Sequence, residues 1–153
     1  MYMEIVERHE RYVVEKIFDH KDLKCVVTFG SNGWRCGYVG IPRSHKFYGK
    51  EYTEIESQIN YGDCHGGLTF SSRSVGEKYP IESDLWWFGF DCAHYGDGKD
   101  LDLAIELFPH IAESLYKIKA CEDMFPTYDE VRSCEYVADS CISLANQLAE
   151  HWS

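Results

Sequence analysis

The chain has 153 residues, 44% hydrophobic and 15% aromatic, and a formal net charge of −11. At this length a fold buries roughly 68–70% of its unfolded surface, which is one core and no more, so residues 1–153 are expected to form a single domain without separate cofactor and substrate modules. Residues 1–81 balance 11 acidic against 11 basic side chains while residues 82–153 carry 15 against 4, a field that repels phosphate backbones and argues against direct nucleic-acid binding.

In chain order, Arg11 to Phe18 alternates loosely as a strand, and Lys24 to Phe29 is followed by the Asn-Gly turn at Gly30 to Gly33 and a second strand up to Ile41. Apolar β-branched and aromatic runs on either side of Asn-Gly predict a hairpin, and Pro42 ends it because proline cannot donate to a ladder. Ser44 to Gly49 is a loop, Glu51 to Tyr61 has mixed spacing that fits a strand or a short helix and is assigned as a strand, and Leu68 to Arg73 is another strand. Asp84 to Asp91 has aromatic residues at both parities and is expected to be a central strand covered on both faces. Apolar residues then recur at helical spacing from Leu101 to Ile118, with a break at Pro109. Thr127 to Glu130 has the form of a capping box opening a last helix, whose stripe runs from Val131 to Trp152. Strands first and helices second predict the α+β class, an antiparallel sheet in the N-terminal two thirds covered by C-terminal helices.

No apolar run reaches the roughly 18 residues of a membrane span, and MYMEIVERHERYVVEK is charged where a signal peptide has its apolar core, so a soluble cytoplasmic protein is expected. Seven cysteines, an odd number without an export signal, are expected as reduced thiols. The chain has no C-x-x-C pair, so any metal site must use mixed ligands. Cys25, Cys36, Cys121, Cys134 and Cys141 read as core or hairpin thiols, and His9, His20, His110 and His151 as surface residues.

The chemistry-bearing residues gather where strands end. Asp63-Cys64-His65-Gly66-Gly67 follows one strand, and Asp91-Cys92-Ala93-His94-Tyr95-Gly96-Asp97 ends the aromatic one. Glycines beside histidine let tight turns bring ligands from different strands together. Imidazole, thiolate and carboxylate are the usual donors to zinc, the expected metal. His65 and His94 are the first two candidate ligands, Asp91 or Cys92 the third, and His45 from the Ser44 to Gly49 loop completes the set, with Asp97 as an outer partner orienting a histidine. An extended chain through residue 94 puts Cys92 and His94 on one face, whereas a turn at Cys92 lets Asp91 and His94 converge. The competing interpretation is that both histidines only satisfy backbone groups or face solvent.

Two enzyme classes use the same residues. Cys64 or Cys92 beside histidine has the composition of a thiol hydrolase, and a metal with an open position makes a hydrolase with Asp63, Asp91 or Asp97 as general base. The third class is a binding protein whose acidic half meets a basic protein partner.

The runs Arg35-Cys-Gly-Tyr-Val-Gly-Ile-Pro42, His45 with Tyr48-Gly49, His65-Gly-Gly-Leu-Thr-Phe-Ser71 and Trp86-Trp-Phe-Gly-Phe-Asp-Cys-Ala-His94 with Gly96-Asp97 carry a resemblance. The chain resembles a family of small phage and prophage proteins of Gram-positive bacteria, over residues 11 to 100 and without the acidic tail. It is similar to zinc-containing anti-CRISPR inhibitors of type II effectors. That resemblance implies an inhibitor, not an enzyme, with a structural zinc. It would dock its acidic C-terminal half on an RNA-guided DNA nuclease and block nucleic-acid loading. A metal-dependent hydrolase built on the same His/Asp/Cys cluster is the alternative.

Overall fold

A computed structural model describes residues 5–59, 65–75 and 84–152. Six strands form one antiparallel sheet: β1 (Glu7–Arg8), β2 (Tyr12–His20), β3 (Leu23–Gly30), β4 (Arg35–Ile41), β5 (Phe70–Ser72) and β6 (Trp86–Asp91), in the order β1-β2-β3-β4-β6-β5. The class is α+β, with the strands of this sheet in the N-terminal part of the chain and the long helices in the C-terminal part.

Two hairpins build the centre of the sheet. The β2–β3 connection is the pair Lys21-Asp22, both at positive φ, which matches the right-handed twist of the strands it joins. The Asn-Gly turn joins β3 to β4 as the sequence predicts, and Pro42 follows the last residue of β4. The loose alternation of β2 has a physical cause: the register shifts between Val14 and Lys16, leaving Glu15 as a bulge. The bulged Glu15 is buried, and Arg35 donates to both of its oxygens, Nε at 2.7 Å and Nη2 at 3.0 Å.

β6 is internal, paired with β4 on one side and β5 on the other. Phe88 and Phe90 enter the main core with Val27, Val39 and the helix α4 (Cys134–Glu150), whereas Trp87 packs on the opposite face with Val14, Val26 and Val75. Both faces are covered, as its aromatic pattern requires. The buried stripe of α4 is Cys134, Val137, Ala138, Cys141, Leu144, Ala145 and Leu148. Helix α2 (Leu101–Leu107) buries Leu101, Ala104 and Leu107 against Val13 and Phe29, and a 3-10 turn at Pro109–Ile111 leads into α3 (Ala112–Met124). Only Leu115 of α3 is buried, so that helix stands away from the core.

Two local assignments are corrected. Glu51 to Tyr61 is not a strand: Tyr52–Ile55 forms the helix α1, followed by a 3-10 turn over Glu56–Gln58, with residues 60 and 61 outside the described range. The Glu54 side chain accepts from the Glu51 amide at 2.8 Å, a cap that favours the helix start. The last helix does not open at Thr127. Glu130–Val131 is instead the strand β8, parallel to β7 (Asp97–Gly98), and Ser133 caps α4 by accepting from the Tyr136 amide. Pairing with β7 satisfies backbone groups that a helix would have used, and the Thr127 hydroxyl donates to Asp129. Cys121 is exposed, unlike the buried Cys25, Cys92, Cys134 and Cys141. No helix among the described residues is long and apolar enough to cross a membrane.

Candidate metal centre

β6 ends at Asp91, and the chain then turns through His94-Tyr95-Gly96-Asp97, closed by the Asp97 amide donating to the His94 carbonyl at 2.9 Å. Gly96 sits at the third position with φ +90, the left-handed conformation such a turn requires there. The turn folds the Asp97 carboxylate back on its own start, where Oδ2 accepts from the His94 amide at 3.0 Å. The second wall is the turn at His65 and Gly66. Gly66 has φ +68, and a Cβ on it would lie 2.5 Å from the His94 ring, so only glycine lets the two histidines approach.

His65, His94 and Asp97 converge, with one donor atom from each lying within 4.8 Å of the others. His65 Nε2 is 2.9 Å from Asp97 Oδ2 and 3.1 Å from Oδ1. A carboxylate only accepts, so His65 carries its proton on Nε2 in this arrangement, and Nδ1 meets the Tyr136 hydroxyl at 2.7 Å. Arg132 Nε donates to Asp97 Oδ1 at 2.9 Å and the guanidinium lies over the Tyr136 ring at 5.0 Å. The Asp97 side chain is 1% exposed. Burial alone would raise its carboxyl, but the bonds from Arg132, His65 and the His94 amide outweigh that and hold it below the ordinary carboxylate value.

His94 Nδ1 has an unfilled role. It is buried and makes no hydrogen bond, yet it lies 3.6 Å from both Asp91 Oδ1 and Asp97 Oδ2. This nitrogen either carries a proton that faces the two carboxylates or holds a further atom between itself and them. Two imidazoles and a carboxylate are a donor set that fits a divalent transition ion. Tyr136 then becomes the outer partner that fixes the ring of His65, and Arg132 does the same for Asp97.

The structure divides the residues singled out from sequence. His65 and His94 come together, with Asp91 beside them: its Oδ1 also accepts from the Ala93 amide and its Oδ2 from the Thr69 hydroxyl. Asp97 takes the His65 ring, as expected of a partner orienting a histidine, and it also belongs to the group that could hold an ion. Cys92 turns into the core, where burial first and Asp97 second push its thiol up to about 12. His45 does not reach the cluster. It is buried at the far end of α4, Nε2 donating to the Leu148 carbonyl at 2.7 Å and Nδ1 accepting from the Phe47 amide at 3.0 Å. Leu148 stands twelve residues beyond Tyr136, about 18 Å along a helix. Burial lowers the His45 pKa, so the ring is a neutral strut joining a loop to α4. Asp63 and Cys64 lie outside the described residues.

Arg132 and Tyr136 were invisible as site residues because they lie 35 and 71 positions from the groups they touch. One signal existed: Arg132 is the sole cation after Lys119, in an otherwise acidic stretch. Comparison of the chain with family models, with curated proteins and with solved structures gives no match.

Proposed function

We propose that the chain is a zinc-binding inhibitor of the phage type, which docks its acidic C-terminal half on a basic host-defence nuclease of the type II CRISPR class and blocks nucleic-acid loading. The observation that carries the metal part is the buried His94 Nδ1, which has no hydrogen bond and faces two carboxylates at 3.6 Å. Zinc suits two imidazoles and carboxylate oxygen, and Asp91, 3.6 Å from His94 Nδ1 and beside the convergent group, would need a small shift to become a fourth donor. A closed site here is structural: it would join the His65 turn, the β6–β7 turn and, through Arg132 and Tyr136, the start of α4. The partner part rests on the excess of 15 acidic over 4 basic residues after position 81 and on the phage-protein resemblance of the four sequence runs.

One observation favours a second interpretation. Three convergent donors with a side chain as exposed as His94, at 35%, resemble the three-ligand pattern that leaves a position for water and hydrolysis. A thiol hydrolase has less support, because the Cys92 thiol is buried and pushed up to about 12.

The test combines elemental mass spectrometry, a thermal melt with and without chelator, and a guide-RNA loading assay on a type II effector. Inhibition with about one zinc per chain and a melt lowered by chelation agrees with the proposal. Metal-dependent ester or phosphodiester cleavage without effector binding would favour the hydrolase, and absence of metal with an unchanged melt would remove both.

A further inference from the structure

We infer that the groove between Trp34 and Phe125 is a docking site for a lysine- or arginine-bearing segment of a partner protein. The inference deepens the proposed function, narrowing a general acidic surface to one groove, and it rests on that reading for the identity of the partner.

The groove has a volume of about 430 Å³, inside the roughly 300–1,000 Å³ range of ligand-holding clefts. Its walls are the turn between β3 and β4, the β7 backbone at Gly98, and the end of α3 with the segment that follows it. Three features select a cation. First, the groove already holds one: Lys99 Nζ sits 5.6 Å from the Trp34 ring centroid and 3.2 Å from Glu122 Oε2, so an indole face and a carboxylate are spaced to share an ammonium. Second, Lys99 is the one cation lining the groove beside Glu122, Asp123 and Asp129; Asp129 accepts from the Thr127 hydroxyl and Asp123 lies in the field of Lys119, but neither makes an ion pair among the described residues. Third, apolar surface lies open there: Phe125, which caps the end of α3 and lines the groove, is 71% exposed, and Met124 before it, outside the lining, is 73% exposed. Exposed aromatic and aliphatic side chains rimmed by carboxylates fit a segment that alternates basic and apolar residues.

Asp97 links this groove to the metal cluster. Its carboxylate is turned to His65 and Arg132, while the β7 backbone it belongs to pairs with β8 and forms part of the groove wall. A metal that fixes Asp97 therefore also fixes the wall, without touching the guest.

The test is a nuclear magnetic resonance titration of the whole zinc-loaded chain with a capped peptide alternating arginine and leucine, against a control alternating glutamine and leucine. The expected result is saturable shifts of the Trp34 indole and the Lys99 and Glu122 amides with the arginine peptide alone. Trp34→Ala and Glu122→Lys should each weaken binding about tenfold, and Glu135→Lys on α4 by less than about twofold. Equal losses from Glu122→Lys and Glu135→Lys, or shifts that avoid Trp34, would overturn the groove. Running the same variants in the effector-loading assay separates the two claims. Inhibition kept by Glu122→Lys but lost on reversal of Glu135 and Asp139 overturns the groove and leaves the inhibitor; peptide binding at Trp34 without any inhibition does the reverse.

Discussion

Arg132 donates to Asp97 at 2.9 Å from the residue just before the cap of α4, so the helix that covers the sheet is tied directly to the turn that follows β6. The Arg132 carbonyl in turn accepts from Arg35 Nη1 at 3.0 Å, and Arg35 holds the bulged Glu15. One chain of polar contacts therefore runs from β2 through β4 and the α4 entry to the candidate metal centre.

Replacing the hub should be costly. Asp97→Asn keeps the shape but removes the charge that Arg132 and His65 face; because Arg132 is part-exposed, the loss should be that of charged hydrogen bonds, about 1.5–3 kcal/mol. Urea unfolding should show that loss, and if the proposed metal is bound, elemental analysis should show its content falling as well. A variant that keeps full metal and full stability would remove Asp97 from the site.

Acid should undo the same contacts. Because the Asp97 carboxyl is held below its ordinary value, its contribution to stability is complete above the unfolded-state value of about 3.9 and is lost as pH falls through the lower folded value. The gap in unfolding free energy between the parent and Asp97→Asn, measured with chelator present, should be constant from about pH 7 to 5 and close below about pH 4. A gap that closed on raising the pH would contradict the sign.

Gly66→Ala should act on His94 rather than on the core. The new Cβ would lie 2.5 Å from the imidazole at a φ of +68, so both strain and a displaced His94 ring are expected, at about 1–2 kcal/mol. The diagnostic readout is metal affinity, which should fall by at least about tenfold while β6 keeps its hydrogen-exchange protection.

Removing one partner of the Glu15–Arg35 pair should cost about 3–5 kcal/mol, because the other charge stays buried at 4–5% exposure. Replacing both together, as Glu15→Leu with Arg35→Met, should restore part of that loss, which a double-mutant cycle in urea would read. Additive losses would show that the two side chains do not act as a pair.

Thiol labelling should separate the cysteines by burial. Among the described residues Cys121 is exposed, whereas burial first and a nearby carboxylate second push Cys25 and Cys92 up to about 12. A maleimide should modify Cys121 in the folded protein and reach Cys25 and Cys92 only on unfolding. Labelling of Cys92 at the rate of Cys121 would revive a reactive-thiol role.

Much of the architecture is legible in the residues alone, because side-chain period is a local property. The Asn-Gly hairpin, the two-sided β6, the break at Pro109 and the stripe of α4 all follow from spacing over a few residues. Local signals failed where two were available at once. Thr127 to Glu130 has the form of a helix cap, yet Glu130 and Val131 found unpaired backbone at Asp97 and Gly98 and became a strand. Glu51 to Ile59 has mixed spacing, and a side-chain cap decided for the helix.

The candidate site shows the same division. The residue types and glycines around 65 and 94 mark a meeting point of turns, and that much is legible from the residues alone. The sequence could not decide which polar residues would arrive. His45 was drawn to the Leu148 carbonyl at the other end of α4, Cys92 was taken into the core, and Asp97 became the hub once Arg132 and Tyr136 came in from the helix. Spacing fixes which side chains share a face within one element, but the neighbours of a buried carboxylate are chosen by the packing of α4 on the sheet, which brings together residues that no local period relates.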